Sequence, residues 1–190
     1  MSETVAIIGA GPLGRWLALQ AARGGFHVLL EDVMPNNLHH AQEFLRQQLG
    51  TEALGVEQGV GVAFVSTIED AVREADLAID CVPDELESKL EIFCLLDRMA
   101  PPRTVLATPT TRLSIADLAS CTYRPDRCVA IVQEASSLAE GGSSDILLRT
   151  TSKTSDETVA LLTRFWNRLG FTPTFTPDPA ELSIVNSERG

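Results

Sequence analysis

Six residues near the N-terminus, Gly9-Ala10-Gly11-Pro12-Leu13-Gly14, set three glycines at the spacing Gly-x-Gly-x-x-Gly. What such a run offers chemically is bare backbone amide. The first glycine permits a tight turn, the second lets the main chain approach a pyrophosphate, and the third removes a Cβ where helix meets strand. A helix that follows aims its partial positive N-terminus at the phosphates. Pro12 suits a first turn in which a missing N–H costs little, and Leu13 completes the turn. Asp32, preceded by Glu31, follows Gly14 by 18 residues. That is close to the ~20-residue spacing of a carboxylate that accepts a ribose 2′-hydroxyl. An acid there repels a 2′-phosphate, so the expected cofactor is NAD rather than NADP. Glycine-rich turns are common and acidic pairs often just face water, so the pattern acquires meaning only from the elements around it.

Those elements alternate. Thr4–Ile8 is a β-rich run ended by the glycines, and Pro12–Arg23 carries apolar residues at helical spacing up to Gly24-Gly25. Val28–Leu30 is a second apolar run, and Pro35-Asn36-Asn37 opens a helix to about Leu49. Thr51–Gly61 reads as a glycine-rich loop and Val62–Val65 as a short strand. Ser66-Thr67-Ile68-Glu69 has the form of a capping box opening a helix through Ala75. Strands are then expected at Leu77–Val82, Thr104–Ala107, Cys128–Val132, Ile146–Leu148 and Phe171–Thr176. Between them fall helices at Glu85–Met99, after the cap Ser114-x-x-Asp117, and at Ser155–Leu169 with Gly170 as C-cap. Glu134–Asp145, acidic and serine-rich, is the most loop-like stretch. Uniformly apolar strands alternating with helices predict an α/β fold: a Rossmann-type, doubly wound, mainly parallel sheet with helices on both faces.

At 190 residues the chain is expected to form one domain, residues 1–178, with 179–190 as a tail. Fifteen Lys and Arg stand against 26 Asp and Glu, a net charge of −11, which argues against nucleic acid and anionic membrane as partners. No segment approaches the ~20 apolar residues of a membrane span. The N-terminus shows no basic and apolar leader, so a cytoplasmic location is expected. Cys81, Cys94, Cys121 and Cys128 form no Cys-x-x-Cys pair, and each is expected as a reduced thiol in apolar surroundings, with no metal site.

Further along, Ala75-Asp76-Leu77-Ala78-Ile79-Asp80-Cys81-Val82-Pro83-Asp84-Glu85-Leu86-Glu87-Ser88-Lys89 resembles the strand–turn–helix that follows the cofactor loop in 3-hydroxyacyl-CoA dehydrogenases. Ala100-Pro101-Pro102 through Leu113-Ser114-Ile115-Ala116-Asp117, then Arg124-Pro125-Asp126-Arg127 and Thr154-Ser155-Asp156-Glu157-Thr158, continue the likeness in order. The resemblance implies an NAD-binding domain, a 3-hydroxyacyl substrate and a place in fatty acid metabolism. It also implies that Pro83, Asp84 and Lys89 lie near the nicotinamide side of the cofactor. Read without it, Asp84 and Lys89 are an exposed pair on a polar helix start.

The family's hydride transfer needs a base for the hydroxyl proton, a histidine in His-Phe-Phe-Asn-Pro oriented by a glutamate. Here the matching segment is Val132-Gln133-Glu134-Ala135-Ser136, and the glutamate falls near Leu147. The Asn-Thr-Ser loop reads Pro109-Thr110-Thr111. The catalytic candidates left are Thr111 in place of the serine, Glu134 beside the base position, and Asn186 in Ile184-Val185-Asn186. His27, His39 and His40 belong to the second strand and its helix, on the adenine side. The sequence ends at Gly190, where the family continues into a helical domain, so a homo-oligomer or a separate helical partner chain is an expectation too. Two readings follow: an altered NAD-dependent dehydrogenase, or a dinucleotide-binding module without catalysis.

Overall fold

The computed structural model describes residues 3–55, 59–132 and 144–181. Along the first strand, β1 (Thr4–Ile8), side chains alternate between two cores: Val5 and Ile7 enter one, Ala6 and Ile8 the other. A strand buried on both faces has no polar side to show, which is why its sequence is a continuous apolar run. β2 (His27–Glu31), β3 (Gly61–Val65), β4 (Leu77–Asp80), β5 (Val105–Pro109) and β6 (Cys128–Ile131) join it in parallel. β7 (Asp145–Thr150) then runs antiparallel to β6, and β8 (Thr172–Pro177) parallel to β7. The sheet order is β3-β2-β1-β4-β5-β6-β7-β8. The chain therefore builds outward from β1 in one direction and then in the other. That reversal opens a crevice at the carboxyl ends of β1 and β4.

Helices cover both faces. α1 (Pro12–Arg23), α2 (Pro35–Leu49) and α6 (Asp156–Arg168) seal one core, with Leu17, Leu45, Leu162 and Trp166 out of solvent. α3 (Ile68–Val72), α4 (Leu86–Met99) and α5 (Ile115–Ser120) seal the other, with Phe93, Leu96 and Leu118 fully buried. Each such side chain is worth about 1.5–3 kcal/mol relative to exposure. Ser114 and Ser155 cap α5 and α6 by accepting the N–H groups of Asp117 and Thr158. The buried Asp178, just past β8, adds a second cap to α5, accepting from Ser114 Oγ and Ala116 N at 3.0 Å each.

Differences from the sequence reading are local. The cap of α3 is Thr67, whose hydroxyl meets both Asp70 N and its carboxylate, so the box is shifted one residue from Ser66, and the helix ends at Val72 rather than Ala75. β5 extends to Pro109, whose ring occupies a strand end. Within the expected loop, Thr51–Ala53 makes a 3₁₀ turn and Leu54 bridges to Val62 along the β3 edge. The acidic stretch lies mostly outside the described residues, and β7 begins at Asp145. The four cysteines are free, and among the described residues no helix is long and apolar enough to cross a membrane and no cluster of ligands suits a metal ion.

Candidate functional site

β1 runs into the glycine loop at the crevice. Gly9 adopts φ +104°, a conformation that L side chains rarely take, and its N–H donates to Glu31 O at 2.8 Å. A Cβ on Gly14 would lie 1.8 Å from the Gly9 carbonyl O, so the first turn of α1 seats directly on the loop. Gly11 has the opposite character: a Cβ there would meet nothing within 4 Å, which leaves open space over the backbone. Gly11 is also the N-cap of α1, with no capping side chain and no acid in the first turn. The helix therefore offers its first N–H groups and its dipole to the crevice.

Asp32 closes the wall on one side. Its Oδ2 accepts Ala10 N at 2.8 Å and Asn37 Nδ2 at 3.0 Å, while Oδ1 accepts Met34 N at 2.8 Å. A carboxylate has about four acceptor sites, so three are committed to holding the loop and the start of α2. Glu31 stands beside it, and burial, reinforced by the charge of Asp32, pushes its carboxyl up to about 7. Asn37 and Glu31 complete this wall. The sequence placed Glu31 next to Asp32, but Asn37 had no signal beyond its place at a helix start. Together with Ile8, Gly9, Gly11 and Val82 these residues enclose a cleft of about 500 Å³.

A second cleft of about 560 Å³ opens on the other side of the loop, lined by Gly11, Pro12, Leu13, Pro83, Asp84 and the segment 109–112. Gly11, Cys81, Val82 and Pro83 border both, so the two are lobes of one groove. Thr111 is exposed on the wall of this second lobe, and Thr110 beneath it uses its hydroxyl to hold the N–H groups of Arg112 and Leu113. Asp84 lines the same lobe with its Oδ1 buried and without a hydrogen-bond partner.

Lys89 is placed differently from the expectation. It is fully buried behind the floor, where Nζ donates to Asp80 Oδ2 at 3.2 Å and to Val82 O at 3.1 Å. Asp80 also accepts Thr108 Oγ1 at 2.7 Å and Val82 N at 2.9 Å. Burial raises the Asp80 carboxyl above its ordinary range, against the opposing pull of Lys89, Thr108 and Val82. The ammonium thus fixes the turn after β4 that carries Pro83 and Asp84 and does not line the groove. The reason is the geometry of the strand–turn–helix: the first turn of α4 folds back so that Lys89 points at the end of β4.

Val132, which the sequence likeness sets against the family's histidine, donates its N–H to Leu147 O at 2.9 Å, and Leu147 itself is part-exposed on β7. Glu134 and Asn186 lie outside the described residues. His27 is buried at the start of β2, at the sheet end away from the groove, and His39 and His40 are on α2. Burial drives the thiol of Cys81, on the floor, well above the ordinary thiol range, which favours the protonated form.

The groove fits a dinucleotide: two lobes of ligand size meet at a backbone left open at Gly11, with an uncapped helix start between an acid wall and an unpartnered carboxylate oxygen. Comparison with known proteins agrees. The family model described as 3-hydroxyacyl-CoA dehydrogenase, NAD binding domain, matches residues 4–132. A probable 3-hydroxybutyryl-CoA dehydrogenase of Bacillus subtilis is 32% identical over 139 residues, 68% of this chain and 47% of that protein. A 5-formyl-3-hydroxy-2-methylpyridine 4-carboxylate 5-dehydrogenase of Mesorhizobium japonicum is 34% identical over 136 residues, 69% of this chain and 44% of that one. The chain thus spans about half the length of these curated relatives. Among solved structures, an NAD+-dependent 5-formyl-3-hydroxy-2-methylpyridine 4-carboxylic acid 5-dehydrogenase superposes with a TM-score of 0.78 at 28% identity, covering 100% of this chain and 63% of that one. The chain belongs to the 3-hydroxyacyl-CoA dehydrogenase family and carries its NAD-binding domain.

Proposed function

We propose that the groove binds NAD(H) with its adenosine half against Asp32, its pyrophosphate over Gly9–Gly14, and its nicotinamide half beside Pro83 and Asp84, in an oxidoreductase acting on a 3-hydroxyl group. The observation that carries this is the junction of two lobes at Gly11, where open backbone and an uncapped helix start coincide. Bound NAD accepts a hydride. The protein's residues position it: Asp32 holds the loop and keeps one acceptor site for a ribose hydroxyl, and Lys89 holds the turn that presents Asp84. Residues 1–178 serve as the dinucleotide-binding domain, with 179–190 in the place of the family's interdomain junction. A place in fatty acid metabolism is part of the same proposal.

A second reading is favoured by one observation. In the sequence likeness Val132 falls against the family's histidine, and valine moves no proton. Thr111 is the described hydroxyl at the nicotinamide lobe, but a threonine next to no base is a hydrogen-bonding group rather than an acid or base. On this reading the chain is a dinucleotide-binding module without the family's turnover.

Titration with NADH, followed by nucleotide fluorescence and heat, tests binding; no saturable signal at millimolar nucleotide would end the cofactor assignment. A steady-state assay with acetoacetyl-CoA separates the two readings. Slow or absent reduction is expected, and brisk turnover would show that another group replaces the histidine.

A further inference from the structure

Among the described residues, one cation lines the groove. Arg112, next to Thr111, forms part of the lobe that also holds Asp84. Its Nη2 donates to the backbone O of Asp84 at 3.2 Å, which pins the exposed side chain at the mouth. Seven other arginines, Arg46, Arg73, Arg103, Arg124, Arg127, Arg164 and Arg168, each pair with a carboxylate, and none of these lines the groove. No described carboxylate lies within ion-pair distance of Arg112, although acids outnumber basic residues by 26 to 15. An exposed, pinned and unpaired guanidinium on the wall of a cleft is an acceptor for an anion from outside. Its planar fork matches a carboxylate with two parallel hydrogen bonds.

We infer that Arg112 is the anchor for the carboxylate of a small hydroxy or oxo acid, which occupies the second lobe beside the nicotinamide half of the cofactor. This rests on the reading that the groove binds NAD(H). A thioester carbonyl is neutral and gives an arginine nothing to neutralise. Repulsion from a chain of net charge −11 also scales with ligand charge, so a monocarboxylate with one local counter-charge enters more easily than coenzyme A with its several phosphates. The arginine follows directly after Thr111, so a carboxylate held on it brings the rest of a short acid under the Thr111 hydroxyl and against the Asp84 wall.

The test uses the full chain in two stages. NADH is titrated first, into the unaltered protein and into Arg112→Gln. The NADH-saturated proteins are then titrated calorimetrically with 3-hydroxybutyrate, acetoacetate and hydroxy acids of up to about six carbons, with their methyl esters, and with acetoacetyl-CoA. The expected result is saturable binding of at least one acid, weakened about tenfold or more in its ester and in Arg112→Gln, with partial recovery in Arg112→Lys. NADH affinity should stay within about twofold in both variants. Esters or thioester binding as well as the acids, or no acid binding at all, would overturn the proposal. So would a loss of NADH affinity in Arg112→Gln, which would put the guanidinium on a cofactor phosphate. Failure of NADH to bind the unaltered chain would instead bring down the cofactor reading and, with it, the proposal.

Discussion

Asp32 Oδ2 accepts the backbone N–H of Ala10 at 2.8 Å, so the acid that ends the second strand and the loop that opens the first helix are one unit. The same oxygen takes Asn37 Nδ2 at 3.0 Å, and Oδ1 takes Met34 N at 2.8 Å. A ribose hydroxyl arriving here meets a carboxylate already oriented, and orientation supplied in advance is affinity not spent on ordering.

Asp32→Ala should therefore weaken NAD more than NADP, since only the former gains from an acceptor at the 2′ position. Loss of a hydrogen bond to a charged group is worth about 1.5–3 kcal/mol, roughly ten- to a hundredfold in Kd. Calorimetric titration with both nucleotides checks this, and equal weakening would remove the ribose assignment.

Gly14→Ala should destabilise the fold itself. The new methyl would lie 1.8 Å from the Gly9 carbonyl O, which is backbone and has no rotamer to yield. A cost of about 3 kcal/mol or more is expected from urea unfolding, together with loss of NADH binding. Gly11→Ala faces open space, so it should fold normally and lose nucleotide only.

Removing Lys89 strands Asp80. Lys89→Met leaves a buried carboxylate supported only by Thr108 and Val82 N, and about 3–5 kcal/mol of stability should disappear. The double variant Asp80→Leu/Lys89→Met should regain most of it in denaturant melts. If the single variant were neutral, the pair would not be holding the turn after β4.

Two carboxyls shape the pH dependence of stability in opposite senses. Glu31 is raised to about 7 by burial and then by the charge of Asp32, so what it contributes is full below its ordinary value and lost as pH rises through about 7. Asp178 is lowered: burial pulls its pKa upward, but the bonds from Ala116, Ala180, Ser114 and Ile115 outweigh it. Its contribution is present above the ordinary aspartate value and lost as pH falls through the depressed one. Urea midpoints followed from acid to mildly alkaline pH should show Glu31→Gln flattening the fall between the ordinary glutamate value and about 7, and Asp178→Asn the acid one.

Much of the fold could be read from neighbouring residues. Thr4–Ile8 and Pro12–Arg23 match the first strand and helix to the residue, and the helix opened at Pro35 runs to Leu49, near its expected end, because each is bounded by glycine, proline or a change of period. Gly9, Gly11 and Asp32 gather at one groove, with Gly14 packed beneath the loop, as a strand–loop–helix–strand order requires. The misses are contacts across space. The spacing of Asp80 and Lys89 does not say that a helix turn folds back over a strand end, so Lys89 looked like a groove residue. Ser114 and Asp178 are 64 residues apart and meet only because α5 begins beside the end of β8. Arg112 carries no signal in the sequence, because only the fold sets it on the wall of the groove.

The outer strand β8 has a consequence for crowding. Thr172 N donates to Ser144 O and Asp178 N to Thr150 O, so the even-numbered amides turn inward. The outward set along the strand is then positions 173, 175 and 177, and two of these are Pro173 and Pro177, which have no hydrogen to lend. A neighbouring molecule trying to zip itself onto this margin, as chains do in a fibril, finds a single usable donor.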